Sequence, residues 1–137
     1  QVTVNVAGPT ATVTTAPVTD PLAGTRWEVV NYNNGRDALV TPLLDTRLTM
    51  EFGANGSLGG SSGCNTYTTS YQVNGSNISI SLPGGTQMLC EEPEGSMEQE
   101  AEFLAALQSA STFTINGSRL EMRTAGGQNA IIASQTP

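Results

Sequence analysis

The strongest constraint on the fold is a set of four Asn-Gly dipeptides, each placed between runs in which apolar and polar residues alternate. They are Asn34-Gly35, Asn55-Gly56, Asn74-Gly75 and Asn116-Gly117. Asn-Gly favours the two-residue type I′ turn, because both central residues of that turn need a positive φ. This turn joins antiparallel neighbours, so four such pairs in one small chain predict a meander of β-hairpins.

The runs between these turns predict strands because their apolar residues recur with a period of two. In the first run, Trp27, Val29 and Asn31 would share one face, and Val30 and Tyr32 would lie on the other. The apolar faces of the later runs are Leu48, Met50 and Phe52; Tyr67, Thr69, Tyr71 and Val73; Ile78, Ile80 and Leu82; Phe113 and Ile115; Leu120 and Met122; and residues 130–133.

One segment departs from the β pattern. Ser96 stands three residues before Gln99, which is the spacing of a capping box at a helix N-terminus. Glutamates at positions 98, 100 and 102 lie in the first turns, where the helix dipole favours anions. We predict an amphipathic α-helix over residues 96–109 that lies on the sheet or plugs the open end of a barrel. The expected core-facing residues are Met97, Ala101, Leu104 and Ala105, continued by Leu107 or Gln108.

The first 20 residues differ in composition from the rest of the chain. They are rich in Thr, Val, Ala and Pro, and such segments are typical of extended spacers. An N-terminal strand is the alternative, because Val2, Val4 and Val6 alternate with other residues. We predict a spacer or tail over residues 1–20 and one domain over residues 21–135.

The charged residues exclude several functions. Twelve acidic residues face five arginines, with no lysine and no histidine, which gives a net charge of −7. This charge argues against nucleic acid and anionic membranes as partners. Without histidine, imidazole-based catalytic triads and most zinc sites are excluded. We expect no enzymatic activity, no cofactor and no metal, and the chain has no apolar run long enough to predict a transmembrane segment.

Several blocks of the sequence resemble, in the same order, those of META domains, a family that includes the heat-shock protein HslJ. The most specific is Gly60-Ser61-Ser62-Gly63-Cys64-Asn65-Thr66-Tyr67, which is similar to G-x-x-G-C-N-x-Y. Thr86-Gln87-Met88-Leu89-Cys90 is similar to T-x-M-x-C, and the residues at 97, 100, 103 and 107 match M-x-x-E-x-x-F-x-x-x-L. The other blocks are residues 22–27, residues 48–52 with Asn55-Gly56, and residues 117–120 with Gly126-Gly127.

The resemblance implies a mainly β fold, with a curved antiparallel sheet or small β-barrel of hairpins and one α-helix. It also implies an exported bacterial protein of the cell envelope, often a lipoprotein, and no known reaction. Cysteines pair in such oxidising compartments, so Cys64 and Cys90 are expected to form a disulfide, with two buried free thiols as the alternative. The family motifs mark six structural residues: Trp27, Gly63, Asn65, Tyr67, Thr86 and Met88.

The glycine-rich stretch over residues 59–65 has three interpretations. A phosphate cradle would need the lysine of a P-loop, and a nucleophile elbow would need Gly-x-Ser-x-Gly and a histidine. We favour a tight strand crossing, in which glycines let two backbones approach and Asn65 hydrogen-bonds a neighbouring loop. The six glutamates over residues 91–102 follow no EF-hand spacing, so they indicate a solvated helix instead of a calcium site.

The five arginines and the single tryptophan are the remaining candidates for a binding site. Each arginine is expected to pair with a nearby carboxylate, and two that converged in space would mark an anion site. Trp27 is expected to be the principal core residue, with a sugar-stacking platform as the alternative.

The favoured function is a non-enzymatic, extracytoplasmic binding module of the bacterial cell envelope. Its expected partner is another protein, the expected state is a monomer, and the resemblance is compatible with a lipid anchor upstream of the given chain. The alternatives are an inhibitor of a secreted protease or other hydrolase, and a purely structural envelope domain. An inhibitor would need a rigid exposed loop, for which residues 33–42 and 83–87 are candidates.

Overall fold

The computed structural model describes residues 20–36, 38–85 and 88–136, so the predicted spacer and its alternative strand at Val2, Val4 and Val6 lie almost wholly outside the described residues. The strands are β1 (Arg26–Asn33), β2 (Leu39–Val40), β3 (Thr49–Phe52), β4 (Ser57–Ser61), β5 (Thr66–Asn74), β6 (Asn77–Ile80), β7 (Gly84–Gly85), β8 (Ala110–Asn116), β9 (Arg119–Thr124) and β10 (Asn129–Gln135). The helix α1 (Ser96–Ser109) lies between β7 and β8.

Eight of these strands close into an antiparallel barrel. Their order around the barrel is β1, β3, β4, β5, β6, β8, β9 and β10, and β10 returns to pair with β1. The closing ladder runs from Trp27 opposite Gln135 to Tyr32 opposite Ile131. Closure gives each barrel strand a neighbour on both sides, which removes the free edges of an open sheet. The predicted mainly β fold with one helix is therefore confirmed, in its barrel form.

The two short strands lie beside the barrel strands. β2 pairs with the end of β1, and β7 pairs with the start of β5 after the chain has left β6. Leu82, which was predicted to continue the apolar face of β6, is 76% exposed. That prediction is wrong because β6 ends at Ile80, so the alternation of its two faces does not continue to Leu82, and the chain pairs with β5 again only at β7.

The hairpins are confirmed, but the predicted type I′ turn is wrong. In the β5–β6 hairpin, Asn74 pairs with Asn77, so Gly75 and Ser76 are the central residues of the turn. Gly75 has a φ of 65°, whereas the φ of Ser76 is not positive. A positive φ at the first central residue alone is the pattern of a type II′ turn. Gly117, with a φ of 64°, holds the same position between β8 and β9. Asparagine is thus the last strand residue, and only glycine enters the left-handed region.

A β-bulge changes which residues of β1 point inward. The register against β10 shifts between Val29 and Asn31. As a result Trp27, Val29 and Tyr32 are buried, whereas strict alternation had placed Asn31 inside and Tyr32 outside. The extra residue of a bulge reverses the alternation beyond it, and no period-two pattern contains that signal.

The helix has the predicted bounds but not the predicted cap. Its N-cap is Gly95, which has a φ of 91° and gives no side-chain hydrogen bond. Ser96 is the first helical residue, and its hydroxyl donates backward to the carbonyl of Pro93 at 2.6 Å. The capping box of Ser96 and Gln99 is therefore wrong, because the turn before the helix is closed by Ser96 and the side chain of Gln99 points elsewhere.

The buried face of the helix also differs from the prediction. Phe103 and Leu107 are fully buried and Gln99 is only 3% exposed. The amide of Gln99 accepts from the Leu43 N–H at 2.7 Å and donates to the Thr46 hydroxyl at 3.1 Å, so its burial is compensated. The prediction treated glutamine as solvent-facing because it is polar. It therefore placed the buried face of the helix on the wrong residues. Of the predicted residues, Ala101, Ala105 and Gln108 are exposed and Met97 and Leu104 are half-buried.

Phe103 fixes the helix to the barrel interior. Its ring makes edge-to-face contacts with Tyr32 of β1 and Tyr67 of β5, at centroid distances of 6.4 Å and 5.8 Å. These two strands are not neighbours in the barrel, so the phenylalanine ring reaches the space that the strands enclose. Aromatic pairs of this geometry stabilise a core beyond their buried area.

We predict that Phe103→Ala lowers the free energy of unfolding by about 3–5 kcal/mol, because it removes a buried ring and leaves a cavity. Chemical denaturation measures this change. Gln108→Ala, on the exposed side of the same helix, is the control and should change stability by less than about 0.5 kcal/mol. Equal stability of the two variants would show that the helix does not anchor the barrel.

Candidate functional site

The side chain of Asn65 joins three separate segments of the chain. Asn65 is 4% exposed and lies in the connection between β4 and β5. Its Oδ1 accepts from the Met88 N–H at 2.7 Å, and its Nδ2 donates to the Met88 carbonyl at 3.1 Å. Nδ2 also lies 3.0 Å from Oε2 of Glu100 on the helix. One amide therefore holds the start of β5, the segment at Met88 and α1 together.

The carboxylate of Glu100 completes this cluster. Oε1 accepts from the Ser62 hydroxyl at 2.6 Å and from the Asn65 backbone N–H at 3.1 Å. Hydrogen bonds to a carboxylate are shorter and stronger than bonds between neutral groups. Ser62 is 1% exposed, so its hydroxyl is a buried donor to Glu100 and not an accessible nucleophile.

Cys64 and Cys90 form a disulfide, which confirms the expected pairing. Their Cα atoms are 5.9 Å apart, and 26 positions separate them in the sequence. The bond connects the same two segments that Asn65 connects, because Cys64 precedes Asn65 and Cys90 follows Met88 by two residues. The segment before the helix is thus held covalently and by hydrogen bonds.

Two large apolar side chains stand exposed on this held segment, which we call the Met88-Leu89 loop (residues 88–90). Met88 is 58% exposed and Leu89 is 85% exposed. The backbone of Met88 is nevertheless bonded on both its N–H and its carbonyl, and the Cys90 N–H lies 3.4 Å from the sulfur of Met97. The loop therefore combines an ordered backbone with apolar side chains that contact solvent.

The residues of the family motifs have separate structural roles in the described chain. Trp27 is 1% exposed and its ring N–H donates to the Thr25 hydroxyl at 2.8 Å, so it is a core residue and offers no sugar-stacking surface. Tyr67 is also 1% exposed, and its hydroxyl donates to the Thr49 carbonyl at 2.7 Å. Burial raises the pKa of Tyr67 well above its ordinary value, so the phenol stays protonated.

The glycine-rich stretch brings two backbones close together. A Cβ on Gly60 would collide with the backbone carbonyl of Thr49 on β3. Gly63 has a φ of 103°, and a Cβ there would lie 3.1 Å from the side-chain nitrogen of Gln99. Gly60 thus permits the expected close approach of two backbones, here between the paired neighbours β3 and β4, while Gly63 leaves room for the side chain of Gln99.

The two loops proposed from sequence are described only in part. Residues 33–42 include β2, whose Leu39 is 40% exposed, and Asp37 lies outside the described residues. Residues 83–87 include β7, while Thr86 and Gln87 lie outside the described residues, so the marked Thr86 stays a prediction. Sequence reasoning took Met88 only as a structural residue. The signal that it missed is a pair of large apolar residues next to a cysteine and outside any alternating run.

All five arginines pair with carboxylates, as expected. The pairs are Arg26 with Glu51, Arg36 with Glu102, Arg47 with Glu28, and Arg119 and Arg123 with Glu121. Arg119 and Arg123 converge, but they do so on the carboxylate of Glu121, so this pair of arginines already binds an anionic group of the same chain. The hydrogen bond from Arg119, together with the charges of both arginines, lowers the pKa of Glu121.

The described surface of the barrel has several clefts. One has a volume of about 740 Å³ and is lined by Gly59, Gly60 and several Ser and Thr side chains. Another, of about 430 Å³, lies beside α1 and includes Glu102. Tyr32 donates to Glu102 at 3.4 Å, and burial raises the pKa of Tyr32 to about 12. That phenol is therefore a hydrogen-bond donor and not a base at neutral pH.

The acidic side chains and the helix of the described residues bear on metal binding and on membrane crossing. Across residues 20–36, 38–85 and 88–136, no three His, Cys, Asp or Glu side chains come together in a way that could hold a metal ion. In the same ranges, no helix has the length and apolar character needed to cross a bilayer.

We predict that Asn65→Ala frees the Met88-Leu89 loop, because the Met88 N–H loses its acceptor. Hydrogen exchange at the Met88 amide should become faster, and the free energy of unfolding should fall by about 1–3 kcal/mol. Thr68→Ala, at an exposed position of β5, is the matched control and should leave both measurements unchanged. Unaltered exchange at Met88 in Asn65→Ala would refute the role given to this amide.

We predict that the Cys64→Ala/Cys90→Ala variant unfolds with a free energy about 3–4 kcal/mol below that of the native protein, as expected for a loop of this length. The native protein should have an intact mass about 2 Da below that of the reduced chain, since each thiol loses one hydrogen. Alkylation of both cysteines under denaturing, non-reducing conditions would contradict the disulfide.

Comparison with solved structures shows the same fold in other proteins. A protein from Burkholderia xenovorans, solved by NMR, is 20% identical, with a TM-score of 0.68 over 97% of this chain and 99% of that chain. A DUF4847 family protein from Bacteroides vulgatus is 17% identical, with a TM-score of 0.57 over 83% of this chain and 94% of that chain. No curated protein sequence matches the chain.

The family is shown by a sequence match. The model of the META domain matches residues 20–136, a range that contains the whole barrel, α1 and both cysteines. The resemblance inferred from the sequence blocks is confirmed, and the chain belongs to the META domain family.

Proposed function

We propose that this META domain is a non-enzymatic, extracytoplasmic binding module that recognises another protein through the Met88-Leu89 loop. The observation that carries the proposal is the exposure of Met88 and Leu89, at 58% and 85%, on a backbone fixed by Asn65 and by a disulfide. Exposed apolar side chains of this size mark contact sites when they cluster.

The ordered backbone is what makes this loop suited to binding. A flexible loop loses conformational entropy when a partner orders it, and this loss reduces affinity. Here the hydrogen bonds of Met88 and the disulfide at Cys90 have already ordered the chain. Burial of Met88 and Leu89 by a partner would therefore contribute to affinity with little further ordering.

The disulfide and the family support an extracytoplasmic location. Structural disulfides persist in secreted, periplasmic and cell-surface proteins and are rare in reducing cytosol. The predicted spacer over residues 1–20 would place the domain away from an anchor or another domain, and this part of the proposal rests on sequence composition alone.

The absence of catalytic activity is supported by the available side chains. The chain has no histidine and no lysine, so the usual bases of serine hydrolases are missing. Ser62, whose hydroxyl contacts a carboxylate, is buried and donates a hydrogen bond to Glu100. A purely structural envelope domain is less well supported, since the side chains of Met88 and Leu89 lie outside the core of the fold.

The second candidate is an inhibitor of a secreted protease or other hydrolase. The same feature favours it, because an ordered loop with protruding apolar side chains can occupy an enzyme's cleft without being rearranged. The two candidates differ in what the partner is: an inhibitor would block the activity of the protein that it captures.

The test compares immobilised native domain with two variants against secreted and envelope proteins of bacteria, with quantitative mass spectrometry of what is retained. We expect that Met88→Ser/Leu89→Ser lowers retention of a specific partner at least 10-fold, since central apolar contacts contribute about 1–2 kcal/mol or more each. Leu39→Ser, on β2, is the matched control and should retain the partner as well as the native domain does.

Both variants alter exposed side chains, so their melting temperatures should match that of the native domain. Identical retention by the loop variant and the control would disprove recognition through this loop. If the retained protein is a hydrolase, its activity with added stoichiometric domain separates inhibition from simple binding.

A further inference from the structure

We propose that the partner of the Met88-Leu89 loop presents an apolar pocket for these two side chains and a rim of arginine or lysine side chains that faces Glu91, Glu92 and Glu94. This inference rests on the proposed function, because it describes the surface that the loop would contact. It specifies the chemistry of that surface, which the apolar side chains alone leave open.

Three exposed glutamates follow the loop directly. Glu91, Glu92 and Glu94 lie two, three and five residues after Leu89, and all are exposed. Because a chain spans at most about 3.6 Å per residue, Glu91 lies within about 7 Å of Leu89 and Glu94 within about 18 Å, measured between Cα atoms. A protein interface of ordinary size, about 800 Å² on each partner, has a radius of about 16 Å. Centred on Leu89, it extends as far as Glu91 and Glu92, and Glu94 lies near or inside its margin.

The cations of the chain are engaged elsewhere. The five arginines are its only basic side chains, and each lies within 3.9 Å of a carboxylate other than these three. Within the described ranges, none of the ion pairs involves Glu91, Glu92 or Glu94. The three negative charges beside the loop are thus left for cations that come from outside.

The charges also decide between occupants of the loop. A second copy of this chain would bring a net charge of −7 and arginines that are already paired. An anionic lipid surface would repel the three glutamates. A neutral apolar surface would strip water from the carboxylates without replacing it, which is unfavourable. A partner protein with cations around an apolar pocket satisfies both the leucine and methionine side chains and the glutamates.

The two parts of the surface would affect binding differently. Apolar contacts at the centre of an interface mainly determine how slowly a complex dissociates, whereas charges at the rim mainly raise the association rate and its dependence on salt. Met88 and Leu89 therefore set the lifetime of the complex, and Glu91, Glu92 and Glu94 set the rate at which it forms.

The experiment uses the secreted and envelope protein fraction as the probe at 0.05 M and 0.5 M NaCl, with four immobilised forms of the full chain. These are the native form, Met88→Ser/Leu89→Ser, Glu91→Gln/Glu92→Gln/Glu94→Gln, and Glu28→Gln/Glu51→Gln/Glu121→Gln. The last is the matched control, because it removes three negative charges from the barrel wall, where exposed ion pairs contribute little to stability. Each protein retained in a loop-dependent way is purified, and its association and dissociation rates are measured.

We expect the substitutions at 91, 92 and 94 to slow association about 10-fold or more at 0.05 M NaCl and less than about 2-fold at 0.5 M, where screening is strong. The control triple variant should associate at the native rate. Loop-dependent binding with no effect of these three substitutions or of salt overturns the cationic rim and leaves the proposed function standing. Binding that needs the glutamates but not Met88 and Leu89 overturns the combined surface, and no loop-dependent retention at either salt overturns both proposals.

Discussion

Closure of the barrel by the pairing of β1 with β10 is the constraint on which the other features depend. It fixes an interior that the strands alone do not fill, and Phe103 of the helix occupies the space between Tyr32 and Tyr67. Placing Phe103 there also places Glu100, one turn earlier on the helix, against Asn65. The position of the exposed loop thus follows, step by step, from how the core is packed.

The polar cluster around Glu100 is the link between that core and the surface. A partly buried carboxylate needs several donors, and Ser62 and Asn65 supply them. Because Asn65 uses one side-chain nitrogen for Glu100 and for the carbonyl of Met88, the same amide that satisfies the carboxylate also orders the loop. The backbone of Met88 is structural, as the family motif indicated, while its side chain is free to contact a partner.

The sequence predicts those parts of the fold that depend on local patterns. Alternation and the Asn-Gly pairs predict the hairpins. The charge pattern and the apolar spacing over residues 96–109 predict the helix with its observed bounds, although the predicted capping box does not form. The errors arise where distant residues decide the outcome. Tyr32 points inward because of a bulge against β10, and Gln99 is buried because Leu43 and Thr46 satisfy its amide. The type of turn depends on which pair of residues closes the ladder, and register is not a local property.

The candidate site was hidden from sequence reasoning for a related physical reason. Met88 and Leu89 look like ordinary core residues, since large apolar side chains are usually buried. Three bonds fix the backbone that carries them, namely the disulfide and the two hydrogen bonds between Met88 and the side chain of Asn65. With the backbone held in this way both side chains are exposed, and other residues, Phe103 among them, form the core. The fold therefore maintains apolar surface that burial within this chain would otherwise remove, and such surface is available to a partner.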